Sequence, residues 1–388
     1  MRSVKALFFM VVCAGLIACA GPRPKGEDLN LEDQSVQSVG ITIFELTHEH
    51  GWYQVYAWYP ADASQKDISD KSAHPIFYTD GWLNQPLAKQ YRIPGFLMTE
   101  DPSKSLLDAQ PKAGQFPIIL FNHGWEAFPR ANMKLMEHLA QQGFIVMSLG
   151  HPGDSIRLKR ANGDLVDRKD TPERQQARSP SRQQLATLAE GYQGLKSSVN
   201  EKEYWQHIER LEQLPMYQPL QGSFSQWVQR TQHLLNLVEE NRQMPNWLMP
   251  RVNAGQIGLM GHSFGGAVSG WVGRNAATVL PTIVMDVPQY RFGLQDGGAP
   301  NNSATCYFYS THTKVRGLRI SSEGINRALS QCEITFKGSA HMNFTDLNSV
   351  TPLKWFGVLG PVKGKVFEQQ LFQQVTDFYQ NFWRADAG

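Results

Sequence analysis

Gln256-Ile257-Gly258-Leu259-Met260-Gly261-His262-Ser263-Phe264-Gly265-Gly266 is the stretch whose reading decides the fold. Its first five residues form a short apolar run of the kind that makes a strand buried on both faces of a parallel sheet. Gly261 ends the run, and residues 267–276 predict a helix. A strand that passes into a helix through Gly-x-Ser-x-Gly forces the serine into a tight turn and lifts its hydroxyl above the sheet. Glycine is required on either side because a Cβ there would meet the neighbouring strand and helix. Ser263 is therefore the candidate nucleophile. The Phe264 N–H, at the start of the helix, is placed to donate to a developing oxyanion.

The same alternation extends outward. Upstream, residues 116–124 are an apolar run ending in Gly124, and residues 132–142 carry Met133, Leu135, Met136 and Leu139 at helical spacing. Gly143 stops that helix, and 144–149 is the next strand, which predicts a right-handed βαβ crossover. Downstream, strands are expected at 281–285, 305–309 and 333–336, then an amphipathic helix over 368–383. Residues 41–59 alternate, are rich in aromatics and turn at Gly51, so they predict an antiparallel hairpin. The sum is an α/β chain with a mostly parallel, doubly wound sheet behind N-terminal antiparallel strands, the α/β-hydrolase architecture.

Two stretches interrupt it. Residues 60–114 mix Pro, Gly, Asp and Ser with short apolar pieces and are expected to form a long surface excursion. Residues 151–223 are polar and charged, and read as an inserted cap or lid. The alternative is a disordered loop, against which Tyr192, Tyr204, Trp205 and Tyr217 argue. An amphipathic helix is expected from 224 to 240, with Trp227, Leu234, Leu235 and Val238 on one side.

A serine nucleophile needs a base, an acid behind the base and a second oxyanion donor. In this fold the order along the chain is Ser, acid, His. Asp286 ends the strand at 281–285, at the sheet edge where ligands bind, and is the favoured acid. Asp296 is the rival, in a Gly-rich loop, with Glu323 and Asp346 behind it. His341 follows the strand at 333–336 by a short loop and is the favoured base over His312, whose neighbours Thr311 and Thr313 suggest a solvated loop. His123-Gly124-Trp125 follows the first buried strand and offers the Trp125 N–H as second donor. Such chemistry requires no metal and no organic cofactor, and no CxxC or HExxH spacing occurs.

Two basic residues, Arg2 and Lys5, precede an apolar run that ends in Leu16-Ile17-Ala18-Cys19. This resembles a bacterial lipoprotein signal (residues 1–18), which implies a lipid on Cys19 and a tether over 19–37 before the catalytic domain at 38–388. Ala20, rather than Asp, after the cysteine favours an outer-membrane location in the cell envelope. Without Arg2 and Lys5 the formal charge of +2 falls to zero, which argues against a nucleic-acid partner. Of four cysteines, Cys13 lies in the signal and Cys19 at its end. Cys306 and Cys332 remain, either as a disulfide or as two buried thiols.

Phe121-Asn122-His123-Gly124-Trp125-Glu126-Ala127-Phe128, Gly143-Phe144-Ile145-Val146, Gly261-His262-Ser263-Phe264-Gly265-Gly266-Ala267 and Gly338-Ser339-Ala340-His341-Met342-Asn343-Phe344-Thr345-Asp346 occur in that order. Together they resemble the plasma-type (isoform II) platelet-activating factor acetylhydrolase family. The resemblance implies a calcium-independent, lipase-like serine esterase acting on short or oxidised sn-2 acyl chains of glycerophospholipids. Ser263, Asp286 and His341 fall on the family's triad, and Trp125 with Phe264 on its oxyanion hole. Trp125 replaces a smaller aliphatic residue, and residues 151–223 match poorly, which bears on substrate. A general short-chain carboxylesterase or polyester hydrolase, and a non-catalytic envelope-binding lipoprotein, are the alternatives.

Overall fold

Alternation and a glycine turn give the hairpin expected at the N-terminal side. Ser38–His48 (β1) pairs antiparallel with Gly51–Ala61 (β2), and Gly51 takes the φ of 105° that the turn needs. The computed structural model describes residues 38–49, 51–62, 75–77, 81–91, 102–295, 304–315, 318–355 and 357–385. The expected signal segment, Cys13, Cys19, the tether and the rival acid Asp296 lie outside them.

The stretch from 60 to 114 differs from a surface excursion. It contributes Pro75–Phe77 (β3), Gly81–Tyr91 (α1) and Pro102–Leu107 (β4), and β4 pairs parallel with β1 while β3 pairs antiparallel with β4. The sequence of β4, Pro-Ser-Lys-Ser-Leu-Leu, is too polar to signal a strand. A carboxylate anchors it from outside. Glu137 accepts from the N–H of Lys104 (2.8 Å) and Ser105 (3.2 Å) and from the Oγ of Ser105 (2.8 Å) and Ser103.

The remaining sheet follows the expected crossovers. Phe116–Asn122 (β5), Met133–Gln141 (α2) and Ile145–Gly150 (β6) form the first βαβ unit, and β2 adds antiparallel to β6. A ribbon of Arg157–Lys159 (β7) and Leu165–Asp167 (β8) opens the insertion, followed by helices Pro172–Ala177 (α3), Arg182–Ser197 (α4) and Glu201–Glu212 (α5). Gln218–Glu239 (α6) begins at Gln218 rather than at 224, so one helix joins the insertion to the main body. Then come Val252–His262 (β9), Phe264–Asn275 (α7), Thr282–Met285 (β10), Thr305–Ser310 (β11), a ribbon of Thr313–Val315 (β12) and Leu318–Ile320 (β13), Cys332–Phe336 (β14) and Gly364–Ala385 (α8). The sheet order is β14-β11-β10-β9-β5-β6-β2-β1-β4-β3, parallel from β14 to β6. Cys306 and Cys332 face each other in register on β11 and β14 and form a disulfide.

The insertion is helical and shares the main core. Its helices start where side chains accept the orphan N–H groups: Thr171 at α3, a Ser181–Gln184 capping box at α4 and Asn200 at α5. A Cβ at Gly194 would strike the His207 ring, so glycine lets α4 and α5 approach. Their inner faces, Leu185, Leu188 and Leu195 with Tyr204, Ile208 and Leu211, join Phe224, Trp227 and Val268 in one apolar cluster. Each such side chain contributes roughly 1.5–3 kcal/mol on burial. Among the described residues no helix is long and apolar enough to cross a membrane.

Candidate active site

The turn at Ser263 is built by backbone contact. Ser263 has φ 54° and ψ −131°, a conformation that costs a serine about 1–3 kcal/mol and persists because its surroundings over-determine it. A Cβ on Gly261 would strike the backbone of Gly265, and one on Gly265 would strike the carbonyls of Asn122 and His123. The glycines therefore let α7 start directly against the end of β5. The Gly266 and Ala267 N–H groups donate back to the Ser263 carbonyl at 2.8 and 3.2 Å. Phe264 and Gly265 precede them, so their N–H groups belong to the unbonded first turn of the helix. Ser263 itself is half-buried, open enough for a substrate to reach.

Register brings the acid beside the serine. Met285 on β10 pairs with His262 on β9, and the Ser263 N–H donates to the Met285 carbonyl at 2.9 Å. Asp286 therefore leaves its strand next to Ser263, with a φ of 60°. His341 Nδ1 donates to Asp286 Oδ2 at 2.7 Å. The same carboxylate accepts from the Ser310 N–H (2.7 Å), from Ser310 Oγ (3.0 Å) and from Ser322 Oγ. Burial by itself would raise this carboxyl, but the hydrogen bond and charge of His341, with Ser322 and Ser310, outweigh it and hold Asp286 below the usual carboxylate range.

The other candidates go elsewhere. Asp346 is buried and accepts the Lys134 N–H (3.0 Å) at the start of α2, while Glu323 is exposed. His312 bonds through Nδ1 to Thr311 Oγ1 (2.8 Å) and through its N–H to the Ser339 carbonyl (2.8 Å), away from Asp286. Its Ser339 bond instead helps shape the loop that carries His341. The His341 N–H donates to Thr313 Oγ1 at 2.8 Å, and Thr313 Oγ1 bonds Ser310 Oγ, so Asp286 and His341 share one polar support.

The loop after β5 closes the site. A Cβ on Gly124 would lie 3.4 Å from the Ser263 Cβ, which puts the Gly124–Trp125 segment against the serine. The Trp125 ring lies under the Arg174 guanidinium, 5.4 Å from its centroid. His123 is not free for chemistry. It is buried, its Nδ1 donates to the Gly124 carbonyl (2.7 Å) and its Nε2 meets Ser155 Oγ (2.9 Å), and burial lowers its pKa to about 4.

Three features of the site escape the sequence reading. His262 is buried beside His341, with ring centroids 4.6 Å apart, and its Nε2 donates to the His341 carbonyl at 3.1 Å. Burial and the neighbouring His341 lower its pKa to about 3, so it is a neutral spacer. The segment after β6, where the polar insertion begins in the sequence, is buried: Asp154 accepts from Trp227 Nε1 (2.8 Å), Ser223 Oγ (2.8 Å) and Arg174. Glu126 is only 3 % exposed and pairs with Arg168 and Arg178 of the insertion. Nothing local in the sequence marks Ser310, Ser322 or Glu126, whose partners are far along the chain.

The fold is similar to that of the ferulic acid esterase from Streptomyces cinnamoneus, with a TM-score of 0.57 and 16% identity over 88% of this chain and 89% of that one. A dienelactone hydrolase-like promiscuous phosphotriesterase from metagenomic libraries is 10% identical, with a TM-score of 0.44 over 89% and 98% of the two chains. A comparison with curated proteins finds no match. The profile of platelet-activating factor acetylhydrolase, isoform II, matches residues 97–381, a span that holds Trp125, Ser263, Asp286 and His341. Well over half of the chain lies in that match, and the chain belongs to the platelet-activating factor acetylhydrolase, isoform II, family, as a carboxylic-ester hydrolase of the α/β-hydrolase fold.

Proposed function

We propose that the chain hydrolyses short or oxidised sn-2 acyl esters of glycerophospholipids through Ser263, His341 and Asp286. The observation that carries the mechanism is the 2.7 Å bond from His341 Nδ1 to Asp286, whose strand end lies beside Ser263. That bond fixes the imidazole tautomer and leaves Nε2 as the nitrogen for proton transfer. His341 takes the Ser263 proton as Oγ attacks the ester carbonyl, and Asp286 stabilises the imidazolium. The Phe264 and Trp125 N–H groups receive the negative charge on the carbonyl oxygen. Collapse expels the alcohol, which receives the proton from His341. Water, activated by the same base, then clears the acyl-enzyme. The substrate class rests on family membership. A lipid on Cys19, tethering the domain to the cell envelope, suits a substrate held in a membrane.

Hydrolysis of a graded ester series, acetyl to long acyl on nitrophenol and on glycerophospholipid, tests this reading. Activity should fall with acyl length on the phospholipids, and Ser263→Ala should lose roughly 10⁴-fold or more in kcat. Turnover confined to nitrophenyl esters would keep the mechanism and discard the lipid. Wild-type turnover by Ser263→Ala would overturn the site. Mass spectrometry of membrane-extracted protein should find the lipid on Cys19, and an unmodified N-terminus elsewhere would refute the anchor.

A further inference from the structure

The Ala127 N–H donates to the Gly124 carbonyl at 3.0 Å, so residues 124–127 form a closed turn. Its third residue, Glu126, has a φ of 59°, the left-handed region that such turns normally fill with glycine. The chain spends a glutamate there, and the surroundings hold it on every side. Arg178 Nη1 donates to Glu126 Oε1 at 2.8 Å and Arg168 Nη1 to Oε2 at 3.1 Å. Gln90 Nε2 donates to the Glu126 carbonyl at 3.3 Å, and the Gln90 Oε1 accepts from the same Arg168. Both arginines belong to the insertion, and Arg174 between them covers the Trp125 ring and donates to the Gly153 carbonyl at 2.9 Å. Segment 168–178 thus grips two consecutive residues of the turn whose other end touches Ser263.

A left-handed glutamate held from both its carboxylate and its carbonyl is an observed outlier in a catalytic loop, and outliers of this kind persist where function needs them. We infer that Glu126 is a positioning residue for ester hydrolysis: clamped by Arg168 and Arg178, it holds the Gly124–Ala127 turn so that the Trp125 N–H faces the oxyanion. This rests on the assignment of Trp125 as an oxyanion donor. It gives the insertion a role as catalytic scaffold, since its segment 168–178 orients a group that acts only in the transition state. Glu126 itself touches no substrate. Its loss should therefore lower kcat and leave KM nearly unchanged, because uniform substrate binding is not affected.

The test compares Glu126→Gln, which keeps shape but loses the charge, with Glu126→Gly, which relieves the backbone but frees the turn. Arg178→Gln attacks the clamp from its other side, in case a buried change at 126 impairs folding. Each full-length variant is assayed for kcat and KM on nitrophenyl acetate. Each is also titrated with an alkyl trifluoromethyl ketone, to whose carbonyl Ser263 Oγ adds while His341 takes the proton and the oxygen becomes the oxyanion. Urea midpoints are recorded in parallel. The expected result is a kcat loss of about 10–100-fold, somewhat less than removal of a whole oxyanion donor. KM should stay within about twofold and ketone affinity should fall in step with kcat. Glu126→Gly should show the largest loss of ketone affinity whatever its stability. Lower urea midpoints with unchanged kcat and ketone affinity would overturn the inference and leave a merely structural ion pair. In that outcome an inactive Ser263→Ala keeps the esterase reading intact, whereas an active one removes both.

Discussion

Asp286 and Asp346 are both buried aspartates near the His341 loop, and their pKa values move in opposite directions. Asp286 accepts from His341 Nδ1, the Ser310 N–H and Oγ, and Ser322 Oγ, and its pKa is lowered. Asp346 accepts the Lys134 N–H at the start of α2, and burial, with Glu137 and Glu368 nearby, raises it well above the usual value. The difference is in donors, since both side chains are withdrawn from water. A buried carboxyl is lowered where several donors converge on it, and is raised where burial and neighbouring carboxylates outweigh one backbone amide and the Lys134 charge. Only the first can hold an imidazolium. Desolvation alone is therefore a poor guide to which acid in a fold is catalytic.

The comparison breaks most readily at Asp286. Asp286→Asn removes the charge and can hold the imidazole in the wrong tautomer, so kcat should fall by about 10⁴-fold while KM moves little. Steady-state kinetics on nitrophenyl acetate checks it, and a loss of only a few-fold would mean that the carboxylate outside the described residues, Asp296, or another group supports His341.

A smaller effect tests the donors. Ser322→Ala deletes one of the groups that keep Asp286 ionised, and the Ser310 N–H, Ser310 Oγ and His341 remain. A charge-assisted hydrogen bond is worth about 1.5–3 kcal/mol, part of which the remaining donors recover, so a kcat loss of roughly tenfold is expected. A kcat within about twofold of the wild type would show that the Ser310 donors and His341 suffice to hold Asp286.

How much of this was readable follows from how local each constraint is. The Gly261–Gly266 turn was legible because its glycines answer to backbone atoms a few residues away or to the strand beside them. That Asp286 and His341 would meet was legible because each follows a strand whose apolar run is visible. β4 was not, since its polar strand exists through Glu137, a helix residue decided elsewhere. The insertion's aromatics argued correctly against disorder, but that Tyr204 would bury itself and bond Asn326 Oδ1 (2.7 Å) and the Gln289 N–H (2.7 Å) is a long-range fact. Glu126 carries no local signal of a role, because its strained φ becomes tolerable only through arginines of the insertion.

The smallest effect is at the other aspartate, and its sign is the sharpest part of the comparison. Asp346→Asn replaces a carboxyl whose pKa burial raises by a neutral group of the same shape, and its amide oxygen still accepts from Lys134. Activity should change by less than about threefold, under ~0.7 kcal/mol. Stability separates the two sites. Because the folded pKa of Asp346 is raised, its native contribution is complete below the unfolded value near 3.8 and is lost as pH rises toward the folded pKa. Asparagine avoids that loss, so Asp346→Asn should gain stability over the wild type as pH rises from 4 to 7.5. Asp286 is lowered, so its contribution is complete above the unfolded value and is lost as pH falls through the folded pKa. Asp286→Asn should therefore carry a deficit that opens as pH rises toward the unfolded value near 3.8 and stays nearly constant from 4 to 7.5. Urea unfolding of the wild type and both variants across that range gives two difference curves in which groups not coupled to the substituted aspartate cancel. A rising curve for Asp346→Asn beside a nearly flat deficit for Asp286→Asn supports the assignment, and two rising curves would mean that both aspartates are raised alike and that the donors around Asp286 do not set it apart.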